Sequence, residues 1–287
     1  MLLARDRYEV IVVDNASGDQ SVSMLRNEFP GVILYESDEN LGFARGCNKG
    51  FEIAVGAFVL LLNPDTLVVD HAIDVLLDDI KSHPRTGIVG SRQANEFGKF
   101  RRDAGGAFPT LGNVAWNYLF FGRLLPSRFA PPSHFLVGDP PGRQNVDWVS
   151  GAAMLIRRKA AGDHFFDESF FMYGEDMDIC DRIREAGWEV AYTGSATITH
   201  YLGKSFEQQS EVNILQAIHN GPRAFFQKKN GRFAAFLFDL IMLFGFLLRW
   251  LLFGLANFFR PGKGYGKLST FSRRYVLIIV RHLSPWS

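Results

Sequence analysis

Cysteine is scarce in this chain, which holds only Cys47 and Cys180 among its 287 residues. Neither belongs to a CxxC pair, which argues against zinc and dithiol frameworks and suits a reducing compartment. A surplus of one charge is also missing. The 31 Lys and Arg nearly balance 30 Asp and Glu, so no general attraction to nucleic acid is expected. The opening residues 1–8 become charged before an apolar core can form, so no secretory signal is read there and a cytoplasmic location is expected. No internal repeat stands out, and no Gly-rich basic phosphate loop follows the first predicted strand. Phenylalanine, by contrast, is abundant, with 27 residues weighted toward the later half.

Short apolar runs alternate with helical spacing through the first third. Residues 9–13 form a β-branched run ending in Asp14, and 15–19 form a turn. Residues 21–29 have helical spacing, 32–35 read as a strand, 42–55 as a helix and 58–62 as a strong strand stopped by Asn63-Pro64-Asp65. A helix over 72–81 and a strand over 87–90 follow. The alternation predicts an α/β fold, a mostly parallel sheet with helices on both faces. Ligands of such sheets bind beyond the carboxyl ends of strands, where Asp14 and Asp65 both stand. Residues 96–145 loosen into Gly-, Pro- and aromatic-rich sequence, read as a long loop or lid. Strand character returns over 146–157 and in short strands at 189–192 and 196–200. Residues 202–229 look helical, with a break expected at 220–222.

The densest chemistry lies at Tyr173-Gly174-Glu175-Asp176-Met177-Asp178-Ile179-Cys180-Asp181-Arg182. A helix N-terminus favours negative charge, so one acid there needs no functional explanation. Four acids within seven residues, beside three aromatics and a methionine, suggest a site. Glu175 and Asp176 stand where loop becomes helix, and a carboxylate there can deprotonate a hydroxyl acceptor. Asp181 and Arg182 read as a solvated face.

Residues 233–259 are apolar almost throughout, broken by Asp239, Arg249 and Asn257. At ~1.5 Å per residue the segment could cross a bilayer core of ~30 Å. Two charges at the bilayer centre would be costly, and basic residues flank both ends, so an interfacial helix or hairpin is favoured over a clean span. Two domains are therefore expected: a catalytic domain over 1–230 and a membrane-associating helical tail over 231–287.

Taken in order, Val12-Val13-Asp14-Asn15-Ala16-Ser17-Gly18-Asp19, Asn40-Leu41-Gly42-Phe43-Ala44 with Asn48 and Gly50, and Leu60-Leu61-Leu62-Asn63-Pro64-Asp65-Thr66 resemble the family 2 glycosyltransferases, especially their rhamnosyltransferase-like branch. Gly151-Ala152-Ala153, Tyr173-Gly174-Glu175-Asp176 and His200-Tyr201-Leu202-Gly203-Lys204-Ser205 continue the match over roughly residues 8–205. The resemblance implies a GT-A fold, a nucleotide-sugar donor, a divalent metal (Mn2+ or Mg2+) and inversion at the anomeric carbon.

It further implies roles. Asp176 is the expected base and Glu175 a residue that orients the acceptor or Asp176. Asp14, Asn40, Gly42, Arg45, Asn63 and Asp65 are expected around the nucleotide-sugar, Trp148 and Tyr173 around the acceptor. Asp65 and His200 are the expected metal ligands, imidazole tilting the choice toward manganese. Where the family pattern often carries a further Asp, this chain has Asn63. The partners implied are a nucleotide-sugar donor, a glycan or lipid-linked acceptor and a membrane surface at its cytoplasmic face, with no nucleic acid. Family members also carry a strand and helix ahead of the segment matching Tyr8, and that element is expected to be missing here. Two alternatives stand beside this reading: a catalytically impaired scaffold of the same fold, and a nucleotidyltransferase. Asp65, Asp176 and His200 oppose the first, and the missing phosphate loop opposes the second.

Overall fold

The structure, a computed structural model, describes residues 8–163, 165–201 and 211–283, with the side chains of 211–214 left aside. In chain order the elements are β1 (Ile11–Asn15), α1 (Ser21–Glu28), β2 (Ile33–Ser37), α2 (Gly42–Ile53), β3 (Phe58–Leu62), β4 (Thr66–Val68), α3 (Ala72–Ser82) and β5 (Thr86–Ala94). Next come β6 (Gly105–Gly106), α4 (Leu111–Tyr118), α5 (Phe121–Leu124), β7 (Arg143–Asn145), β8 (Trp148–Val149), β9 (Ala153–Arg157) and α6 (Arg158–Ala161). The chain closes with α7 (Glu175–Glu185), β10 (Glu189–His200), α8 (Glu211–Phe259) and α9 (Tyr265–Leu283). Two compact units emerge, Met1–Gly106 with Phe135–Lys204, and Ala107–His134 with Ser205–Ser287.

The first unit is built around a six-stranded sheet ordered β3-β9-β5-β10-β4, with β7 on β10. Strands β5 and β10 run parallel, whereas β9 runs antiparallel between β3 and β5, and β4 and β7 run antiparallel to β10. The sheet is thus mixed, because β9 enters after the long 95–152 excursion instead of after a crossover helix. The two short strands expected at 189–192 and 196–200 are one strand, β10, whose register against β5 slips between Thr193 and Thr197. Helix α3 buries Leu76 and Ile80 against Val89, Leu155 and Ile198. Complete burial of such side chains contributes roughly 1.5–3 kcal/mol each, which fixes the sheet and hence the positions of its strand ends. Strands β1 and β2 pair only with each other, and among the described residues no ladder joins β1 to the larger sheet.

In the second unit α8 and α9 pack together with α4, burying Val114, Phe226, Phe238, Met242, Tyr275 and Ile279. The break expected at 220–222 is absent: Pro222 lies inside α8, and the non-helical residue is Gly231 (φ 84°, ψ 170°). Gly231 lies at the position expected for a boundary, but the compact units change between Lys204 and Ser205, and the second also takes in Ala107–His134.

Candidate active site

Strand β1 delivers Asp14 to its carboxyl end, where the side chain is buried and Oδ2 accepts from Ser17 N at 3.1 Å. The next residue, Asn15, clamps the 40–42 turn. Its Nδ2 donates to Asn40 Oδ1 (3.2 Å) and Gly42 O (3.1 Å), and its Oδ1 accepts from Leu41 N (2.8 Å). Asn40 Oδ1 in turn accepts from Gly42 N at 2.9 Å. Gly42 has φ +77°, and a Cβ there would sit 2.6 Å from Phe171 O, so only glycine allows this contact. The contact continues as Phe43 N donating to Phe171 O (2.8 Å). Asn48, one helical turn beyond, holds the backbone of Phe166 through both its oxygen (2.9 Å) and its nitrogen (3.0 Å). Start of α2 and start of α7 are thereby fixed together. Arg45 is about half exposed and only loosely near Glu39 and Glu168, at 3.9 and 3.8 Å.

Strand β3 leads to Asn63, whose N–H bonds Ala152 O (3.0 Å) and whose carbonyl accepts from Thr66 Oγ1 (2.6 Å). This turn presents Asp65. Strands β4 and β10 pair Thr66 with His200, which brings His200 Nε2 to 3.1 Å from Asp65 Oδ1. Both side chains are buried, and Tyr201 N donates to Asp65 O at 2.8 Å. His200 Nδ1 is buried without a hydrogen-bond partner. One carboxylate oxygen and one imidazole nitrogen 3.1 Å apart have the separation of adjacent ligands about ~2.1 Å from one octahedral cation, so the pair fits a divalent ion that also takes diphosphate oxygens. Among the described residues no group of three or more His, Cys, Asp and Glu forms a larger metal cluster. Gly203 and Ser205 lie outside the described residues.

Helix α7 opens with Gly174 in the left-handed region (φ 93°), and no side chain caps it. The preceding Tyr173 also has positive φ, 65°, a strained conformation for a residue with a Cβ. Glu175 is buried and its Oε2 has no hydrogen-bond partner. Asp176 Oδ1 accepts from Met177 N at 2.8 Å, and its Cβ lies against Gly151. Burial pushes both carboxyls above the ordinary range, and for Glu175 the neighbouring Asp176 charge adds to it. Burial, followed by the charges of Glu175, Asp176, Asp103 and Asp65, pushes the Tyr173 phenol up to about 12, so it stays protonated. Asp178 is structural: it pairs with Arg182 at 3.0 Å, and Arg182 also reaches Phe165 O. Arg182 is thus a tether between helix and loop, where the sequence suggests a solvated face.

The structure brings Asp65, His200, Tyr173, Glu175 and Asp176 around the 150–152 turn, at the strand ends. Trp148 lies in β8 and is buried, its ring largely covered. Two neighbours escape sequence reasoning. Arg101 and Asp103 pair directly, and Ala104 O accepts from Ser150 N at 3.0 Å, which brings this loop to the same turn. No motif announces them; only the folding of the 95–152 excursion does. Asn15 was visible as part of a turn, but its three-bond clamp was not.

A family model described as glycosyl transferase family 2 matches residues 2–165. The rhamnosyltransferase WbbL of Escherichia coli is 31% identical over 270 residues, covering 89% of this chain and 88% of its own. An N-acetylglucosaminyl-diphospho-decaprenol L-rhamnosyltransferase of Mycobacterium tuberculosis is 29% identical over 232 residues, covering 71% and 70%. Among solved structures, a mannosyltransferase of Pyrobaculum calidifontis in complex with GDP-Man and Mn2+ superposes with TM-score 0.58 at 15% identity, over 98% of this chain and 79% of the other. GalNAc-T7 with UDP, GalNAc and Mn2+ gives 0.51 at 14%, over 77% and 44%. These structures are similar in fold, and that fold is GT-A.

Proposed function

The chain belongs to glycosyl transferase family 2, and from that premise we propose that it moves a sugar from a nucleoside-diphosphate donor to a hydroxyl of a lipid-linked or cell-surface glycan, inverting the anomeric centre, at the cytoplasmic face of a membrane. L-Rhamnose is the first candidate sugar, since two relatives of comparable length are rhamnosyltransferases. The observation that carries the reading is the gathering of two unlike pairs about Tyr173: the Asp65 carboxylate with the His200 imidazole, and the neighbouring Glu175 and Asp176 carboxyls.

Asp14 accepts from the base of the donor, and Asn40 with the Gly42 backbone borders the nucleotide. Arg45, exposed and loosely held, is free to swing toward phosphate. Asp65 and His200 hold a divalent cation, manganese or magnesium, beside Asn63, and that cation would offset the charge developing on the diphosphate leaving group. Asp176 removes the acceptor hydroxyl proton as that oxygen attacks from the face opposite the diphosphate. Burial makes it a stronger base than an exposed carboxylate. Glu175, buried and lacking a partner on Oε2, holds a proton and donates to an acceptor oxygen. Tyr173 stays a neutral phenol at the acceptor side, whereas Trp148, buried in β8, offers its ring little to a sugar.

The test is a screen of nucleotide-sugars with the purified chain and manganese. Transfer or slow hydrolysis of one donor supports the reading. Tight nucleoside diphosphate binding without turnover of any donor would favour the impaired scaffold.

A further inference from the structure

The near-zero net charge conceals a segregation. Residues 107–134 and 205–287 together hold 13 Lys and Arg and three acids, Glu207, Glu211 and Asp239, so the rest of the chain carries 18 basic and 27 acidic residues. Asp239 is fully buried. Arg223 Nε donates to both its oxygens (2.7 and 3.0 Å), and His219 Nε2 lies 3.4 Å away. Arg249, the other charge inside the apolar stretch, donates to the carbonyls of Asn117 and Gly245 (both 2.9 Å) and to Tyr118 O, with Phe120 stacked at 4.3 Å. Both charges that interrupt the stretch are satisfied within the unit. Across residues 107–134 and 215–283 no carboxylate reaches the surface.

Helix α8 leaves a row of large apolar side chains uncovered. Phe233, Phe236, Phe244, Leu251, Leu255 and Phe258 are all exposed, the last at 80%. Their spacing puts them within an arc of about 100° along one face. A patch of this kind is rarely left bare on a soluble monomer. Exposed basic residues accompany it: Arg232 before the stretch, Arg260 and Lys263 at its end, and Lys267, Arg273 and Arg281 along α9, with Arg273 over the Trp250 ring of α8 at 6.0 Å. On α9, Arg273 and Arg281 share the outward face with Leu277 and Val280. Were α9 to cross a bilayer, Arg273 would fall near its centre at high cost.

We propose that α8 and α9 form a docking surface for an anionic bilayer, lying in the head-group region with the α8 row among acyl chains and the basic residues against lipid phosphates. The charge complement selects this cover over a second copy of the chain, since two such surfaces would repel. The proposal rests on the reading above only for why the enzyme belongs at a membrane.

The test is flotation of the full chain with vesicles of phosphatidylcholine alone and of phosphatidylcholine with phosphatidylglycerol, at low and high salt. Strong binding only to the anionic vesicles is expected, weakened by salt. The triple reversal Lys263→Glu, Lys267→Glu, Arg273→Glu should lose at least about fivefold per charge. Phe244→Asp with Leu255→Asp should lose the anionic-vesicle binding at low salt as well. Manganese-dependent nucleoside diphosphate binding, followed by calorimetry, and the melting profile of the whole chain should both stay at the parent level in all variants, which shows that they fold. Equal binding to both vesicle types, or anionic binding indifferent to the triple reversal, overturns the proposal. So does a lipid-free dimer that the Phe244 and Leu255 changes dissociate. Failure of donor transfer with vesicle binding intact would count against the catalytic reading alone.

Discussion

Helix α7 carries five acids in eleven residues, whereas residues 212–283 carry one. The contrast lies deeper than number. Asp239 and Glu175 are both buried acids, but Asp239 is met by Arg223 and His219 and shows the arrangement of a structural ion pair. Glu175 meets no cation; it sits beside Asp176 with one oxygen unpartnered, and burial drives its carboxyl upward. A buried charge must be paired or neutralised. Where the partner is present the acid holds the fold together, and here it ties the two parts of α8 across Gly231. Where no partner is present, strain is held at the site and is available for chemistry.

The sharpest way to break the comparison is to remove charge from each acid in turn. Asp176→Asn should keep donor affinity and lower kcat by about 10²–10⁴, the range for a lost general base. A variant that turns over at the parent rate would transfer the role to Glu175. Asp239→Ala should leave donor binding alone and destabilise the second unit by about 3–5 kcal/mol, because the buried His219 and the partly buried Arg223 would lose their counter-charge. Thermal melting followed by limited proteolysis within α8 checks this, and an unchanged melt would deny Asp239 its structural part.

These two acids also show how far the sequence could be read. The Glu175-Asp176 pair was legible because carboxylates at that density before a helix have little folding reason. The Asp65–His200 pairing was expected only through the family resemblance, and antiparallel pairing of β4 with β10 brings the two side chains together. Strand β4 itself was missed; three residues between a proline turn and a helix carry too little periodicity to announce a strand. The direction of β9 was missed too, since pattern reports burial but not the path of the preceding loop. Asp239 illustrates the opposite limit. In the sequence it reads as a cost against crossing a bilayer. Burial against Arg223, sixteen residues earlier and across a helix break, removes that cost. Helical spacing alone cannot foresee such a pairing, because Gly231 changes the helix direction between them.

Smaller effects sharpen the same contrast. Asp65→Ala and His200→Ala should each weaken manganese-dependent nucleoside diphosphate binding by at least about tenfold, with little change in metal-free binding. Equal losses with and without manganese would assign the pair to structure. The Asp176 carboxyl, raised by burial, predicts that kcat/KM of the parent falls on acidification at a pH above the ordinary carboxylate range. Smallest is Glu175→Gln, which keeps a neutral side chain and should cost less than about tenfold in rate. Its stability effect has a definite sign. A carboxyl raised in the folded state contributes fully below its ordinary range and loses that contribution as pH rises through the raised value. The variant should match the parent at low pH and be the more stable of the two above that value.

The most direct measurement is the initial rate of sugar transfer with manganese and the donor found by screening, compared between the parent, Asp176→Asn and Asp65→Ala. Nucleoside diphosphate affinity is measured on the same three samples. The expected result is transfer by the parent alone, with affinity retained in Asp176→Asn and weakened in Asp65→Ala. Parent-level transfer by Asp176→Asn, or manganese-independent transfer that survives in Asp65→Ala, would contradict the account.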